Sequence, residues 1–272
     1  MASEMRRVRR RKRRRLRLSV KLIVLALILL GANLLFRTLF VDTVVPVTMV
    51  MEQSFENYES SIIDILPYRD RYNKIVWLDA GHGGFDIGTY VMLNGIRVYE
   101  KDITLDIVLM VYELFQQSNS GVRVFLTRAD DSHVSLSNRT ALWNDTDYMI
   151  AKADLVVSVH VDYYEGPTAQ TVAGVQVNYY KNQNKNTGRV DITNAQFAQI
   201  LQDHLVNETG ARDRLIRGDR GFTIPEESTM PAVLIEAGFM SNSEELARLL
   251  TVEYRMLIAR AIYSGIVEAF LH

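Results

Sequence analysis

Short apolar runs alternate with amphipathic segments from about residue 74 onward in this 272-residue chain. This alternation is the feature that most constrains the fold. The runs that we predict to be strands are 75–78, 122–126, 155–159, 174–180 and 232–235. The segments whose apolar residues recur three and four positions apart predict helices at 101–117, 137–144, 194–207, 244–250 and 254–270. Strands that are apolar on both faces are typical of parallel sheets covered by helices on each side. We therefore predict an α/β fold with a mostly parallel, twisted sheet and helices on both faces.

The first 37 residues carry a strong positive charge beside an uncharged apolar segment. They contain 12 Lys and Arg and one Glu, a net charge of +11, whereas the rest of the chain has a net charge of −12. Residues 22–36 are uncharged and would span about 22 Å as a helix. A cleaved signal peptide has a similar pattern, but no A-x-A cleavage site follows the apolar run. A nucleic-acid-binding arm would explain the arginines but not the apolar run, so we expect no nucleic-acid partner.

We therefore predict one N-terminal transmembrane helix that is not cleaved. Basic residues stay on the cytoplasmic side of a membrane and are attracted to anionic lipid, which places the rest of the chain outside the cytoplasm. The predicted organisation is a basic cytoplasmic head at 1–20, an anchor at 21–41, a stem at 42–73 and a catalytic domain at 74–272. The chain contains no cysteine, so any metal in it must be held by histidines and carboxylates.

Four polar residues are predicted to meet at one edge of the sheet. His82 follows the first predicted strand, in the sequence IVWLDAGHGGFDIG, whose glycines allow a tight turn and a close approach to a ligand. His160 follows the third predicted strand and Glu236 follows the last. Glu100 begins the first long helix, after the loop that carries His82. The carboxyl ends of parallel strands meet at the edge where α/β sheets bind ligands, so we expect these side chains to share a cleft.

Two imidazoles and a carboxylate are a common ligand set for one catalytic zinc ion, which makes a hydroxide nucleophile available near neutral pH. A second carboxylate would then carry a proton from water to a leaving nitrogen. Glu236 suits this role, because partial burial would raise its pKa. From the residues alone, Glu100 could equally be a surface carboxylate that the helix dipole stabilises. Ordinary solvated or surface roles are expected for the remaining histidines, which are His133, His204 and His272.

Four ordered motifs of the chain resemble those of the zinc-dependent N-acetylmuramoyl-L-alanine amidases, which hydrolyse bacterial peptidoglycan. The motifs are LDAGHGGFDIG, YEKDITLDIV, ADLVVSVHVD and MPAVLIEAGFMSN, with weaker matches at LTRADDSHVSLSNR and DRGF. The resemblance covers about residues 74–270. It implies one zinc ion bound by His82, Glu100 and His160, with Glu236 as the catalytic acid and base. It also implies the reaction, which is hydrolysis of the amide between the lactyl group of N-acetylmuramic acid and the L-alanine of the stem peptide.

The chain departs from the family pattern at a few positions. Ala80 stands where proline is usual, and Asp162 stands where asparagine is usual. Only about 13 residues separate His160 from the next predicted strand, too few for the blocking helix of some relatives, so we expect an open site. Arg139 and Asn144 are interpreted as structural. The predicted protein is thus a membrane-anchored amidase on the cell-wall side of a bacterial membrane, with peptidoglycan as its substrate. The alternatives are a zinc hydrolase of another amide and an inactive wall-binding module.

Overall fold

The computed structural model describes residues 74–144, 153–182 and 190–272. The predicted head, anchor and stem at 1–73 lie outside the described residues, so the prediction of a transmembrane helix stays a prediction. Within the described ranges, no helix combines the length and the apolar character needed to cross a membrane.

The elements follow the predicted alternation of strands and helices. The strands are β1 Lys74–Ala80, β2 Tyr90–Leu93, β3 Ile96–Tyr99, β4 Val122–Leu126, β5 Leu155–Asp162, β6 Gln176–Tyr179 and β7 Ala232–Phe239. The helices are α1 Glu100–Gln117, α2 Leu136–Asn144, α3 Asn194–Thr209, α4 Thr223–Glu227, α5 Ser243–Leu249 and α6 Val252–Ala269. Each of the five predicted helices is present, with ends that differ from the prediction by one or two residues.

Five strands form the main sheet in the order β4-β1-β5-β7-β6. The first four are parallel, and β6 pairs antiparallel with β7 at the edge. The predicted mostly parallel sheet is therefore confirmed. Because β1, β5 and β7 are central neighbours, their carboxyl ends lie side by side at one edge.

The two faces of this sheet are covered to different extents. One face packs against α1, α3 and α6, and its strand residues include Val76, Leu78, Val157, Val159, Val233 and Ile235. We call the opposite face the site face. It carries a smaller core built from Ile75, Trp77, Val156 and Ala232, with Trp143 from α2 and Ile224 from α4. Side chains alternate along a strand, so His160 and Glu236 point to the site face, beyond the end of its small core.

Three features differ from the prediction. The strands β5 and β7 continue to Asp162 and Phe239, so His160 and Glu236 lie inside strands and pair in register instead of following the strand ends. The apolar runs end earlier because the site face becomes polar there, while the other face keeps its apolar residues. The antiparallel β2-β3 hairpin was not predicted, although its Asn94-Gly95 turn is a strong hairpin signal. The short helix α4 was also missed.

The helix α3 has a clear signal at each end. Gly210 adopts a left-handed conformation with φ 62° and ends the helix, as glycine commonly does. At the other end, Thr193 and Gln196 form a reciprocal capping box. These local signals explain why the bounds of this helix could be read from the sequence.

Candidate metal centre and catalytic site

The turn after β1 presents His82 in a conformation that only a tight loop imposes. His82 has φ 63°, an unusual value for a residue other than glycine. The neighbouring Gly83 and Asp86 close the loop through two backbone hydrogen bonds of 2.8 and 3.2 Å. Such a residue costs about 1–3 kcal/mol and is found mainly where the surrounding structure holds it for function.

A buried ion pair at the end of β1 anchors this loop. Asp79 is completely buried and pairs with the Arg139 guanidinium. Arg139 also donates to the carbonyl oxygens of Ala80 at 2.7 Å and His82 at 2.6 Å. Burial alone would raise the pKa of Asp79, but Arg139 and the hydroxyls of Ser158 and Thr127 hold it below its usual range. The structural interpretation of Arg139 is consistent with these contacts.

The Arg128 side chain also holds this turn through hydrogen bonds to backbone carbonyl oxygens. Its guanidinium donates to the carbonyl oxygens of Ala80, Gly81 and Lys101 at 2.8–3.0 Å. It therefore ties the end of β1 to the first turn of α1, the turn that begins with Glu100. Sequence reasoning missed this role of Arg128, although the residue lies in the LTRADDSHVSLSNR segment.

The carboxylate of Glu100 lies between the two predicted histidines. Its Oε2 atom is 3.3 Å from His82 Nε2, and its Oε1 atom is 3.0 Å from His160 Nδ1. The backbone N–H groups of Thr89 and Val161 also donate to this carboxylate. Burial would raise the pKa of Glu100, but the hydrogen bonds and charges of His160 and His82 hold it well below its usual range. Glu100 is therefore a charged, buried carboxylate and not the surface carboxylate that the sequence alone would also allow.

The donor set fits a bound zinc ion. One ligand atom each from His82, Glu100 and His160 lies within 4.8 Å of the others, and no fourth side chain of the described residues joins this group. A dication bound among these atoms would take the place of the contacts between the imidazole nitrogens and the carboxylate, since metal binding displaces protons from its ligands. Three protein ligands leave one position open, as catalytic zinc sites require.

Two further residues shape this donor set and were not singled out in the sequence. Asp86 Oδ1 lies 2.8 Å from His82 Nδ1, which directs the other ring nitrogen towards Glu100. A Cβ atom at Gly88 would lie 2.6 Å from both Glu100 Oε2 and His82 Cδ2, so only glycine leaves the donors room. Asp86 is four residues after His82 in the same motif, and that spacing was the available signal.

The fourth predicted residue, Glu236, is buried on the neighbouring strand. It pairs in register with His160, and its Oε2 atom has no hydrogen-bond partner among the described residues. Burial, followed by the charges of Asp162 and Glu100, raises the pKa of Glu236 well above its usual range. The expected direction of this shift is confirmed. A carboxyl with an unpaired oxygen and a raised pKa can accept a proton near neutral pH.

All four predicted residues line one cleft of about 320 Å³, whose other lining residues are Thr89, Val161, Asp162, Tyr163 and Glu165. The described segment between β5 and β6 contains a three-residue 3-10 helix at Ala169–Thr171 and does not add a ligand to the group. This agrees with the expected open site. The other histidines lie elsewhere: His133 is exposed against Phe85, and His204 pairs with Glu268.

The fold and the site together define an α/β protein whose His/Glu/His group could hold a metal ion beside a buried carboxyl, the arrangement of a metal-dependent hydrolase. Comparison with known proteins adds the family. Residues 76–268 match the family model described as N-acetylmuramoyl-L-alanine amidase. The chain therefore belongs to the N-acetylmuramoyl-L-alanine amidases, and the resemblance inferred from its motifs is confirmed.

Individual relatives and solved structures agree with this assignment. The chain is 32% identical over 193 residues to the uncharacterised protein YqiI of Bacillus subtilis (strain 168), covering 71% of this chain and 83% of YqiI. It is 29% identical over 211 residues to the germination-specific N-acetylmuramoyl-L-alanine amidase of the same organism, covering 72% of this chain and 80% of the relative. An N-acetylmuramoyl-L-alanine amidase from Clostridium difficile 630 superimposes with a TM-score of 0.63 and 29% identity, over 73% of this chain and 97% of that one. The CwlD amidase from Clostridioides difficile, solved in complex with the GerS lipoprotein, superimposes with a TM-score of 0.61 and 29% identity. The match covers 72% of this chain and 98% of that one.

Proposed function

We propose that this amidase is zinc-dependent and anchored in a bacterial membrane, and that it cleaves the bond between N-acetylmuramic acid and L-alanine on the cell-wall side. The observation that carries the zinc proposal is the buried, charged Glu100 with an imidazole nitrogen at each oxygen. A buried carboxylate is costly unless cations or hydrogen bonds compensate it. A divalent ion compensates the charge of the carboxylate more fully than hydrogen bonds from two imidazoles do.

In this proposal His82, Glu100 and His160 hold the zinc ion, while Asp86 fixes the orientation of the first imidazole. Bound zinc supplies a Lewis acid that polarises the scissile carbonyl and increases the acidity of water. The free Oε2 atom of Glu236 accepts a proton from the attacking water. Glu236 then returns this proton to the amide nitrogen as the C–N bond breaks. The products are a lactyl carboxylate on the glycan and a stem peptide with a free N-terminal alanine.

The membrane anchor is supported by the charge pattern of the N-terminus. An uncharged segment at 22–36 follows a basic block at 6–17, the order that retains a head in the cytoplasm. Carbonate extraction of membranes, followed by protease treatment of intact spheroplasts, tests this proposal. We expect the full chain to stay with the membrane and its catalytic domain to be degraded from outside. Release by carbonate, or full protection from protease, would contradict the anchor or its orientation.

The activity is tested on the full chain in detergent with purified peptidoglycan. We expect stem peptides with an N-terminal alanine in the mass spectrum, lost with a chelator and restored by zinc. Glu236→Gln should lower the rate at least about 100-fold, the lower end of what a general acid–base contributes, and leave zinc binding unchanged. Glu208→Gln, an exposed residue on α3, is the matched control. If the chain cleaved free stem peptides but not peptidoglycan, its substrate would be another amide. If zinc were bound and no stem peptide were released from peptidoglycan, the proposed activity of the isolated chain would be contradicted.

The complex of the CwlD neighbour with the GerS lipoprotein suggests a further arm for this assay. We propose that a membrane-associated protein binds this chain and raises its activity. Adding the membrane fraction of the host should then raise the rate of peptide release. A rate that stays constant over a range of added membrane would contradict the activator.

A further inference from the structure

Arg220 is a cation at the edge of the catalytic cleft, and the described residues leave most of its hydrogen-bond donors unused. Its closest ionic contact is a long one, 3.7 Å from Nη1 to Asp162 Oδ2, and its side chain is 35% exposed. In contrast, the nearby Arg217 forms two hydrogen bonds of 3.1 and 3.0 Å with Asp219. A guanidinium carries five donors arranged for bidentate contact with a carboxylate. Arg220 therefore has donors available for a ligand at the edge of the cleft, whereas the donors of Arg217 are engaged by Asp219.

The path of the chain explains why Arg220 faces the cleft. Residues 213–217 run beside β6 as an irregular edge, with Arg217 exchanging backbone hydrogen bonds with Val177 and Tyr179. The chain then turns into α4, which packs on the site face through Ile224. Arg220 lies between these two anchors and reaches Asp162, a residue of the cleft lining.

The charge distribution indicates what Arg220 would bind. Besides Glu100, whose charge the two histidines compensate, and Glu236, whose pKa is raised, the cleft lining carries the carboxyl groups of Asp162 and Glu165. A neutral amide substrate needs no cation there. A substrate that carries a carboxylate next to the scissile bond would be repelled by this lining unless a cation received it.

We propose, resting on the proposed function, that Arg220 binds the free carboxylate of the residue that follows L-alanine in the stem peptide. This group lies one residue beyond the scissile amide on the leaving-group side, and an extended chain advances about 3.5 Å per residue. Arg220 would make the enzyme prefer stem peptides with this group as the free acid over those with the carboxamide. In this proposal Arg220 determines substrate specificity, whereas Glu236 carries out the proton transfer.

The experiment uses two glycan-peptide substrates that differ only in this group, one a carboxylate and one a carboxamide. We compare kcat/KM for both with the zinc-loaded full chain, with Arg220→Gln, and with Arg217→Gln as the matched control. A hydrogen-bonded charge contact changes rates by about 10- to 100-fold. We expect the parent and the control to prefer the acid by at least about tenfold. We expect Arg220→Gln to lose this preference, mainly through a rise in KM for the acid.

The ratio of the two substrates separates specificity from indirect effects. Removing Arg220 also removes a positive charge near Glu236, but this changes both substrates equally and cancels in the ratio. Equal losses on both substrates, or an unchanged ratio, would overturn the proposal. Calorimetric binding of the two free peptides is measured in parallel. If the chain cleaves neither substrate but binds the acidic peptide in an Arg220-dependent way, the inference stands and the proposed function fails; binding without dependence on Arg220 overturns the inference.

Discussion

Substituting Gly81 by alanine should weaken zinc binding strongly while leaving the fold in place. A Cβ atom at Gly81 would lie 2.4 Å from Cε1, 2.6 Å from Nε2 and 2.7 Å from Nδ1 of His160. The added methyl would thus press on the whole ring. The backbone of Gly81 is outside the left-handed region, so the effect comes from contact and not from conformational strain.

The size of the effect follows from the distances. Carbon atoms in contact are normally about 3.5–4.0 Å apart, so the ring must retreat by about 1 Å. His160 Nδ1 is 3.0 Å from Glu100 Oε1, and a displaced ring no longer matches the other two ligands. A change in a residue that supports a metal ligand typically costs about 10- to 100-fold in metal affinity. We expect the upper end, about 100-fold or 2.7 kcal/mol. The apo protein should lose only about 1 kcal/mol, the low end for overpacking, because the His160 side chain is 19% exposed and can move outward.

The assay is competition for zinc between the metal-free full chain and a chromophoric chelator, combined with thermal unfolding with and without zinc. Gly221→Ala is the matched control, since the nearest atom to its new Cβ would be 3.9 Å away. We expect the control to bind zinc like the parent. If Gly81→Ala bound zinc within about threefold of the parent, then His160 would not be a ligand in the arrangement described, and the reasoning would fail.

Two further predictions concern the free energy of unfolding. Asp79→Asn should cost about 3–5 kcal/mol at pH 7, because Arg139 is left buried without its partner charge. The pKa of Asp79 is lower in the folded state than its unperturbed value of 3.8. The loss of unfolding free energy should therefore be complete above pH 3.8 and vanish as the pH falls through the folded-state pKa. Denaturant titrations of the parent and the variant at a series of pH values measure this loss, and a loss that does not change with pH would contradict the prediction. Glu245→Ala should lower the free energy of unfolding by about 2–4 kcal/mol. The Glu245 carboxylate accepts hydrogen bonds of 2.8 Å from the buried backbone N–H groups of Gly174 and Phe239, and both donors would lose their partner. The exposed Glu244→Ala is its control, and equal midpoints in urea would contradict the prediction.

The sequence predicted the elements whose patterns are local. The last predicted helix shows its apolar stripe at three- and four-residue spacing, and α3 has both a capping box and a terminal glycine. The β2-β3 hairpin was missed although its Asn94-Gly95 turn was visible. Only Val91 and Val98 pack against the core, and both are only partly buried, whereas Met92 and Ile96 are 57% and 71% exposed. The segment is therefore too exposed to produce a clear apolar period. The turn residues were therefore the only signal.

The site residues were predictable because the sheet itself brings them together. A parallel sheet places the carboxyl ends of its strands at one edge whatever the loops do, and β1, β5 and β7 supply His82, His160 and Glu236 there. The supporting residues have no such rule. Arg128 and Arg139 lie 46 and 57 residues beyond His82 in the sequence numbering, and Arg220 comes from an irregular loop. Their partners are set by three-dimensional packing, which leaves no period in the sequence.

The buried ion pair under His82 is better explained by the site than by the stability of the fold. A buried pair is often no more stabilising than well-packed apolar residues of similar volume, although breaking it is costly. Here the same Arg139 that neutralises Asp79 also donates to the carbonyl oxygen of His82, and an apolar side chain could not. The contact holds the residue whose φ of 63° aims its imidazole at Glu100. The free energy spent on burying two charges therefore stabilises one loop conformation, and that conformation places the first of the three proposed metal ligands.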